Sequence, residues 1–258
     1  MELWEQQHVK TLIPSLIVML IVSVGLRIWL GKKSEKIRMI PFQICTVFLF
    51  VIEIIKQVKS FEGGEYDLYS LPLHYCSLFI YMLPLMSFYH GKHKDKVRAI
   101  TTALCGSLFL LMVIYPALIY SGAAIDSTFK DFFSFHTVVF HTIATFTFFL
   151  IIALDLHTPE LKRDLLAIVV FMVVYCAVAG IVAQVLKTNY NNFYNCNIPP
   201  LQVLKDKIQP VLGYPVTQTL YVLIVSVLDL AFTQGAYQFY RLMRYLTLKI
   251  EEKCAKNK

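Results

Sequence analysis

The sequence predicts an all-α, polytopic membrane protein with seven transmembrane helices, and three observations carry that prediction. Of the 258 residues, 57% are hydrophobic and only 16% are charged, a balance outside that of ordinary soluble domains. Apolar runs of about 20 residues, the length a helix needs to cross a bilayer, recur along the chain. Basic residues collect in alternate gaps between those runs, the asymmetry that orients membrane helices.

The apolar runs place spans near 11–31, 38–57, 71–89, 99–121, 132–154, 165–187 and 214–238. In hydrocarbon each backbone polar group must be satisfied within the protein, so each span is read as a helix. The first is read as an uncleaved span, because MELWEQQHVK is not a basic leader and no small-residue cleavage site follows. Lys32, Lys33, Lys36 and Arg38 follow the first span, and Lys92, Lys94, Lys96 and Arg98 follow the third. Lys162 and Arg163 follow the fifth, and Arg241, Arg244, Lys249, Lys253, Lys256 and Lys258 follow the seventh. The opposite side holds the smaller set Lys10, Lys56, Lys59, Lys130, Lys187, Lys205 and Lys207. The charge bias therefore predicts an outside N-terminus and a cytoplasmic C-terminus, which an odd number of spans also requires.

Residues 188–213 form an outer loop too long for a simple turn. In it Leu201, Leu204, Ile208, Val211 and Leu212 recur at helical spacing, predicting an interfacial helix. The tail 239–258 is basic and amphipathic, as expected of a helix on an anionic inner leaflet. With no internal repeat and no low-complexity linker, the reading is one integral membrane domain over 1–258. The net charge of +7 is explained by loop orientation, so no nucleic-acid partner is expected; membrane lipid is. The six cysteines show neither a CxxC pair nor metal spacing, so no metal, cofactor or disulfide is expected.

Polar groups inside spans are costly and mark either partners or function. Glu53, His74, Cys76, His136, His141, Gln184 and Gln218 all fall within roughly 5–15 Å of the outer boundary at 1.5 Å per residue. Gln43 and Asp229 are the main polar residues of the inner halves, and a hydrogen bond between them is expected. Ser134, Thr137, His141 and Thr145 share one stripe of the fifth span, with His136 about 140° away from His141. That phase favours His141 for a polar interior and places His136 near headgroups. Taking the third span as a helix, Ser70, His74, Ser77 and Tyr81 form a second stripe, and Cys76 points about 200° from His74. Glu53 with Lys56 one turn on reads as a boundary ion pair or as the group that sets a histidine's charge. For each of these residues simple packing remains an alternative; their shared depth on different helices favours a site.

The block LPLHYC (71–76) resembles the LPLH-x-C signature of the YwaF family of bacterial integral membrane proteins, relatives of animal transmembrane protein 164. FHTVVFHT (135–142) is similar to the family's histidine-bearing later span, with His141 at the matching position. TNYNNFYNCNIPP (188–200) with LGYP (212–215) looks like the Asn-rich loop of the animal branch. The resemblance spans roughly 40–225 and implies seven helices around a polar pocket in a multi-pass cell membrane protein, in a bacterium the plasma membrane. In the animal branch it implies an acyltransferase of glycerophospholipids, with a cysteine carrying the acyl group and a histidine as base. That cysteine immediately precedes the first histidine; here the position is Leu73, with Cys76 three residues later.

The expected function is an acyltransferase or acyl hydrolase acting on membrane glycerophospholipid from an outward-facing pocket. His141, His74, Cys76 and Glu53 are the expected catalytic group, with His136, Tyr115, Gln184, Asn189, Asn192 and Gln218 contacting substrate. The alternative is a transporter or solute-binding membrane protein using the same polar layer. Against it stands the lack of a Gly/Pro-broken span in the sequence pattern.

Overall fold

The computed structural model describes residues 4–61, 64–196 and 199–256. Its helices are α1 (Gln6–Leu30), α2 (Glu35–Lys59), α3 (Leu78–Phe88), α4 (Lys94–Ile114), α5 (Gly122–Asp126), α6 (Phe132–Ala153), α7 (Leu161–Leu186), α8 (Pro199–Leu212) and α9 (Tyr214–Lys256). Short 3-10 turns occur at Leu68–Ser70, Tyr75–Ser77, Pro116–Leu118 and Tyr190–Asn192. Six helices (α1, α2, α4, α6, α7 and α9) are long and apolar enough to cross a membrane. The protein is an all-α, polytopic membrane protein.

The irregular segment 67–77 with α3 returns the chain between α2 and α4, which run the same way; the other crossing helices alternate in direction, so the loops fall at two ends. One end holds 31–34, 89–93 and 154–160, the short-loop end; there Arg27 and Arg38 both donate to carbonyls where α6 ends, Ala153 at 2.7 Å and Leu154 at 2.5 Å. The long-loop end holds 60–77, 115–131 and 187–213. α4 is the central helix and packs against α3, α6, α7 and α9. It can, because its face is built of small residues: Ala99, Thr101, Thr102, Ala103, Cys105, Gly106 and Ser107 are all buried. Without a hydrophobic driving force between helices in lipid, such close approach supplies the van der Waals contact that holds the bundle. Gly106 is where it is tightest: a Cβ there would lie 3.1 Å from Phe148 and 3.3 Å from the Ala236 carbonyl. The outer helices show the reverse pattern. Ile21 and Ile28 of α1 are 65% and 81% exposed, as suits side chains whose solvent is lipid.

The expected third span is corrected. Residues 71–77 are not α-helical, and α3 has 11 residues, about 16 Å of rise, roughly half a hydrocarbon core. Pro72 holds Leu71 extended (φ −56°, ψ 137°) and supplies no N–H, so the apolar run begins as irregular chain. The fourth span ends early for a related reason: Pro116 follows Tyr115, and α4 stops at Ile114. The expected loop helix exists as α8, which packs on α9, with Lys205 4.9 Å above the Tyr221 ring. The tail is not separate from the seventh span. α9 is one helix of 43 residues, about 64 Å. It slants across the short-loop end: Phe239 stacks on Phe109 and Phe148, Arg244 pairs with Asp155, and Glu251 meets Arg27 of α1.

Candidate functional site

Two irregular segments enter the bundle from the long-loop end, and each must find partners for its peptide groups. The first is 67–77. Its carbonyls are accounted for one by one. Leu68 O accepts from the Tyr190 hydroxyl, Ser70 O from Gln57 Nε2 at 2.9 Å, and Pro72 O from the Tyr81 hydroxyl at 3.4 Å. Leu71 O accepts the Leu73 N–H at 2.7 Å, and Leu73 O accepts from the Tyr175 hydroxyl of α7 at 3.1 Å. His74 Nε2 lies 3.0 Å from Tyr69 O, so it donates there and its ring packs between Tyr69 and Tyr190. Tyr75 reaches Thr233 of α9 at 2.8 Å. His74 therefore sits on extended backbone and Cys76 in a 3-10 turn, and the 200° separation drawn from α-helical phase does not describe them. His74 shares no hydrogen bond, ion pair or ring contact with His141.

The second segment is the Asn-rich loop, of which Asn197 and Ile198 lie outside the described residues. Lys187, Asn191 and Asn192 adopt left-handed backbone (φ 51°, 48° and 59°), a region that asparagine tolerates better than most residues. Asn189 Oδ1 accepts the N–H groups of Tyr194 and Asn195 at 3.2 and 2.9 Å. Gln184 and Gln218 each donate to Phe193 O at 2.8 Å, and Gln218 also to Tyr194 O at 3.1 Å. The Tyr221 hydroxyl donates to Asn192 O. Gln184, Asn189 and Gln218, read from sequence as substrate contacts, thus bond the loop's own backbone, and Asn192, read the same way, accepts the Asn189 amide on its Oδ1 at 3.5 Å. Asn191 reaches Asp229 with its amide at 2.5 Å. This corrects the expected Asp229 partner: Gln43 instead donates to Ser87 O at 3.0 Å.

What the scaffold does not consume is concentrated on α2 and α6. Asp131 caps α6 by accepting the Ser134 N–H at 2.7 Å, and that bond holds its carboxyl below the ordinary range. One turn inside, His136 Nε2 lies 2.7 Å from Glu53 Oε2, with both residues buried. The other carboxylate oxygen takes Gln57 Nε2 at 2.6 Å and the Lys56 ammonium at 3.2 Å. A carboxylate is an acceptor only, so Nε2 carries the shared proton and Nδ1 is left as the basic nitrogen. Lys56 supplies the cation that an acid buried at this depth requires. His136 also stacks on Phe140, with ring centres 5.1 Å apart. The phase argument had turned His136 toward headgroups; the position of Glu53 on the neighbouring helix decides otherwise.

His141 donates Nδ1–H to Thr137 O, 2.6 Å away on its own helix, which leaves Nε2 as acceptor beside the Tyr120 and Phe140 rings. Cys76 is half-buried and makes no hydrogen bond to a histidine. Tyr115 ends α4 at the long-loop end. Beside Glu53, an apolar groove of about 370 Å³ runs between α2 and the start of α3, walled by Phe50, Ile54, Val58, Pro72, Ile80 and Tyr81. Val58 and Ile54 are 63% and 48% exposed, so the groove lies on the outer, lipid-facing surface. A second apolar groove, about 660 Å³, lies between α7 and α9.

One buried polar cluster escaped sequence reading. At the short-loop end Asp164 accepts from His157 (3.0 Å), Arg163 (2.8 Å), the Glu160 N–H (2.8 Å) and the Tyr237 hydroxyl. Tyr240 donates to His157 O at 2.5 Å. These residues lie at span edges, and no local spacing announces their convergence.

The chain thus carries two inserted irregular segments, each in a block singled out from sequence, and a buried acid–histidine pair between two crossing helices. Comparison with curated proteins and with solved structures returns no match. The sequence profile of the TMEM164 family matches residues 3–231. Nearly the whole chain is covered, and the chain belongs to the TMEM164 family.

Proposed function

We propose that this protein is a membrane-embedded acyltransferase or acyl hydrolase of glycerophospholipids, working at the Glu53–His136 pair. The observation that carries the reading is a buried carboxylate, 2.7 Å from an imidazole, bordering an apolar groove on the lipid-facing surface. An acyl chain fits the groove's lining, and a carbonyl at its polar end meets the pair. Glu53 orients His136, and Nδ1 withdraws a proton from the attacking water or lipid hydroxyl. The same proton returns to the departing oxygen, as general acid–base catalysis requires. His141, with one nitrogen committed to Thr137 and the other open, is the further candidate base. His74 positions the irregular segment through Tyr69 O rather than reacting.

Cys76 has no histidine bonded to it, so no imidazole stands ready to take the thiol's proton as a cysteine nucleophile requires. Direct attack by an oxygen nucleophile is therefore favoured over a covalent acyl-cysteine, in line with Leu73 standing where the animal branch has its cysteine. The test follows release or transfer of a labelled acyl chain from phosphatidylcholine by purified variants. His136→Ala should lower turnover by about 10²–10⁴, and Cys76→Ser by less than about threefold. Full loss with Cys76→Ser, together with a trapped thioester in wild type, would overturn the oxygen-nucleophile route.

Orientation and location belong to the same proposal. The charge bias supports an outside N-terminus, a pocket opening toward the outer leaflet and a bacterial plasma membrane, the last resting on the LPLH-x-C resemblance to the YwaF branch. A second reading, a transporter or solute-binding protein, gains from one observation: the third span is broken, and half-helices beside unwound chain build solute sites in transporters. A solute taken up by proteoliposomes without acyl chemistry would favour it.

A further inference from the structure

We propose that the cavity at the short-loop end, between α9 and the loop 154–160, binds the headgroup of an anionic phospholipid. The cavity is about 430 Å³ and is lined by Pro159, Gln238, Arg241, Arg244, Tyr245 and Leu248. It is remote from the Glu53–His136 pair and does not depend on the reading of that pair. Its charges do not cancel. Arg244 is paired with Asp155 at 2.8 Å, whereas Arg241 bonds the neutral Gln238 at 2.6 Å and has no carboxylate within ion-pair reach among the described residues. The neighbouring acids are committed elsewhere: Asp164 to Arg163 and Glu251 to Arg27. A guanidinium facing a cavity with no anion of its own matches a phosphodiester, which it can bind through two parallel N–H groups.

The surroundings select a lipid over a soluble phosphate. Gln238, Arg241, Tyr245 and Leu248 follow one another at helical spacing on α9. Leu242, Tyr245 and Leu248 are 52%, 55% and 40% exposed, an apolar strip beside the arginine where acyl chains can lie. α6 ends at Ala153 and α7 begins at Leu161, so the loop between them lies at the membrane boundary, where headgroups sit. The charge bias assigns this end to the cytoplasm, whose leaflet is anionic.

The test uses the full chain in a neutral detergent, with native mass spectrometry reading lipid adducts. Dioleoyl phosphatidylglycerol should bind several-fold more tightly than dioleoyl phosphatidylcholine. Arg241→Gln should reduce phosphatidylglycerol binding about fivefold, the worth of one basic residue at a charged surface, whereas Lys253→Gln on the outlying tail leaves it unchanged. Leu248→Glu, which sets a carboxylate at the cavity wall, should give the same loss if Arg241→Gln proves poorly folded. Equal losses in Arg241→Gln and Lys253→Gln would mean diffuse attraction to the basic tail and overturn the site. So would an unchanged Arg241→Gln, and displacement by millimolar glycerol 3-phosphate would mean a soluble-phosphate site instead.

Discussion

Replacing Asp164 by alanine removes one carboxylate and four hydrogen bonds. Arg163 is partly exposed, with 24% of its side chain accessible, and finds other partners in Asp95 and Glu160; its loss is small. The Glu160 N–H sits in a half-buried loop and can turn to water. His157 Nε2 and the Tyr237 hydroxyl cannot, since those residues are 1% and 0% exposed. Each buried group left without a partner costs about 1–3 kcal/mol. The two already lie 3.3 Å apart and can bond each other, which recovers part of that cost. The expected loss is about 3 kcal/mol. For a chain of this size about 2–4 °C of melting temperature corresponds to each kcal/mol, so Asp164→Ala should melt about 6–12 °C below wild type. The assay is thermal unfolding of matched preparations in one detergent at one protein concentration. A shift under 2 °C would refute the reasoning, because it would mean that the cluster is hydrated in the folded protein. Tyr237→Phe, which removes a donor and leaves the carboxylate paired, should lose clearly less.

Other outcomes follow from the same geometry. Gly106→Ala should be mildly destabilising, since a Cβ there crowds both the Phe148 ring and the Ala236 carbonyl, a backbone atom that cannot turn aside, and about 1 kcal/mol of helix propensity offsets only part of that, whereas Gly106→Leu should separate α4 from α9 and lower the melting temperature steeply. Asn191→Gly should be less destabilising than Asn191→Ala by about 1 kcal/mol, because both lose the Asp229 bond but only alanine is strained in the left-handed backbone; thermal unfolding orders the pair. For orientation, single cysteines at Glu65 and Lys92 in a background lacking exposed Cys254 should react with an impermeant maleimide from outside and only after lysis, respectively. The reverse labelling pattern would invert the pocket's placement.

How far the fold was legible depends on whether a signal is local. The six long helices declare themselves by length and hydropathy, and the ordered motifs pointed to relatives of transmembrane protein 164, the family whose profile matches the chain; the match does not extend to the YwaF name. The third span deceives because LPLHYCSLFIYMLPL is apolar throughout, while the partners that let 71–77 leave the helix are Gln57, Tyr175 and Tyr190, distant in sequence. A hydropathy window registers how apolar the run's side chains are, but not whether its peptide groups find partners outside a helix. The same limit explains the histidines. Phase within one helix separates His136 from His141 correctly, but which face is polar is decided by Glu53 on α2. Pro72 was the usable local clue, since a proline and the extended residue before it argue against regular helix. The bonds that the amides of Gln184, Asn189 and Gln218 make to the inserted loop were not legible, because the loop's own carbonyls and N–H groups could not be counted before its path was known.

The central claim, acyl chemistry at the Glu53–His136 pair, is tested most directly by product analysis. Purified protein is incubated with a diacyl glycerophospholipid carrying two different, defined chains, and the lipids are resolved by mass. The account predicts lysophospholipid with free fatty acid, or a new acyl combination when a lysolipid acceptor is added, and loss of either product in Glu53→Gln and His136→Ala while melting temperature shows both variants folded. Intact substrate with wild-type protein, or product formation that survives in both folded variants, would contradict it.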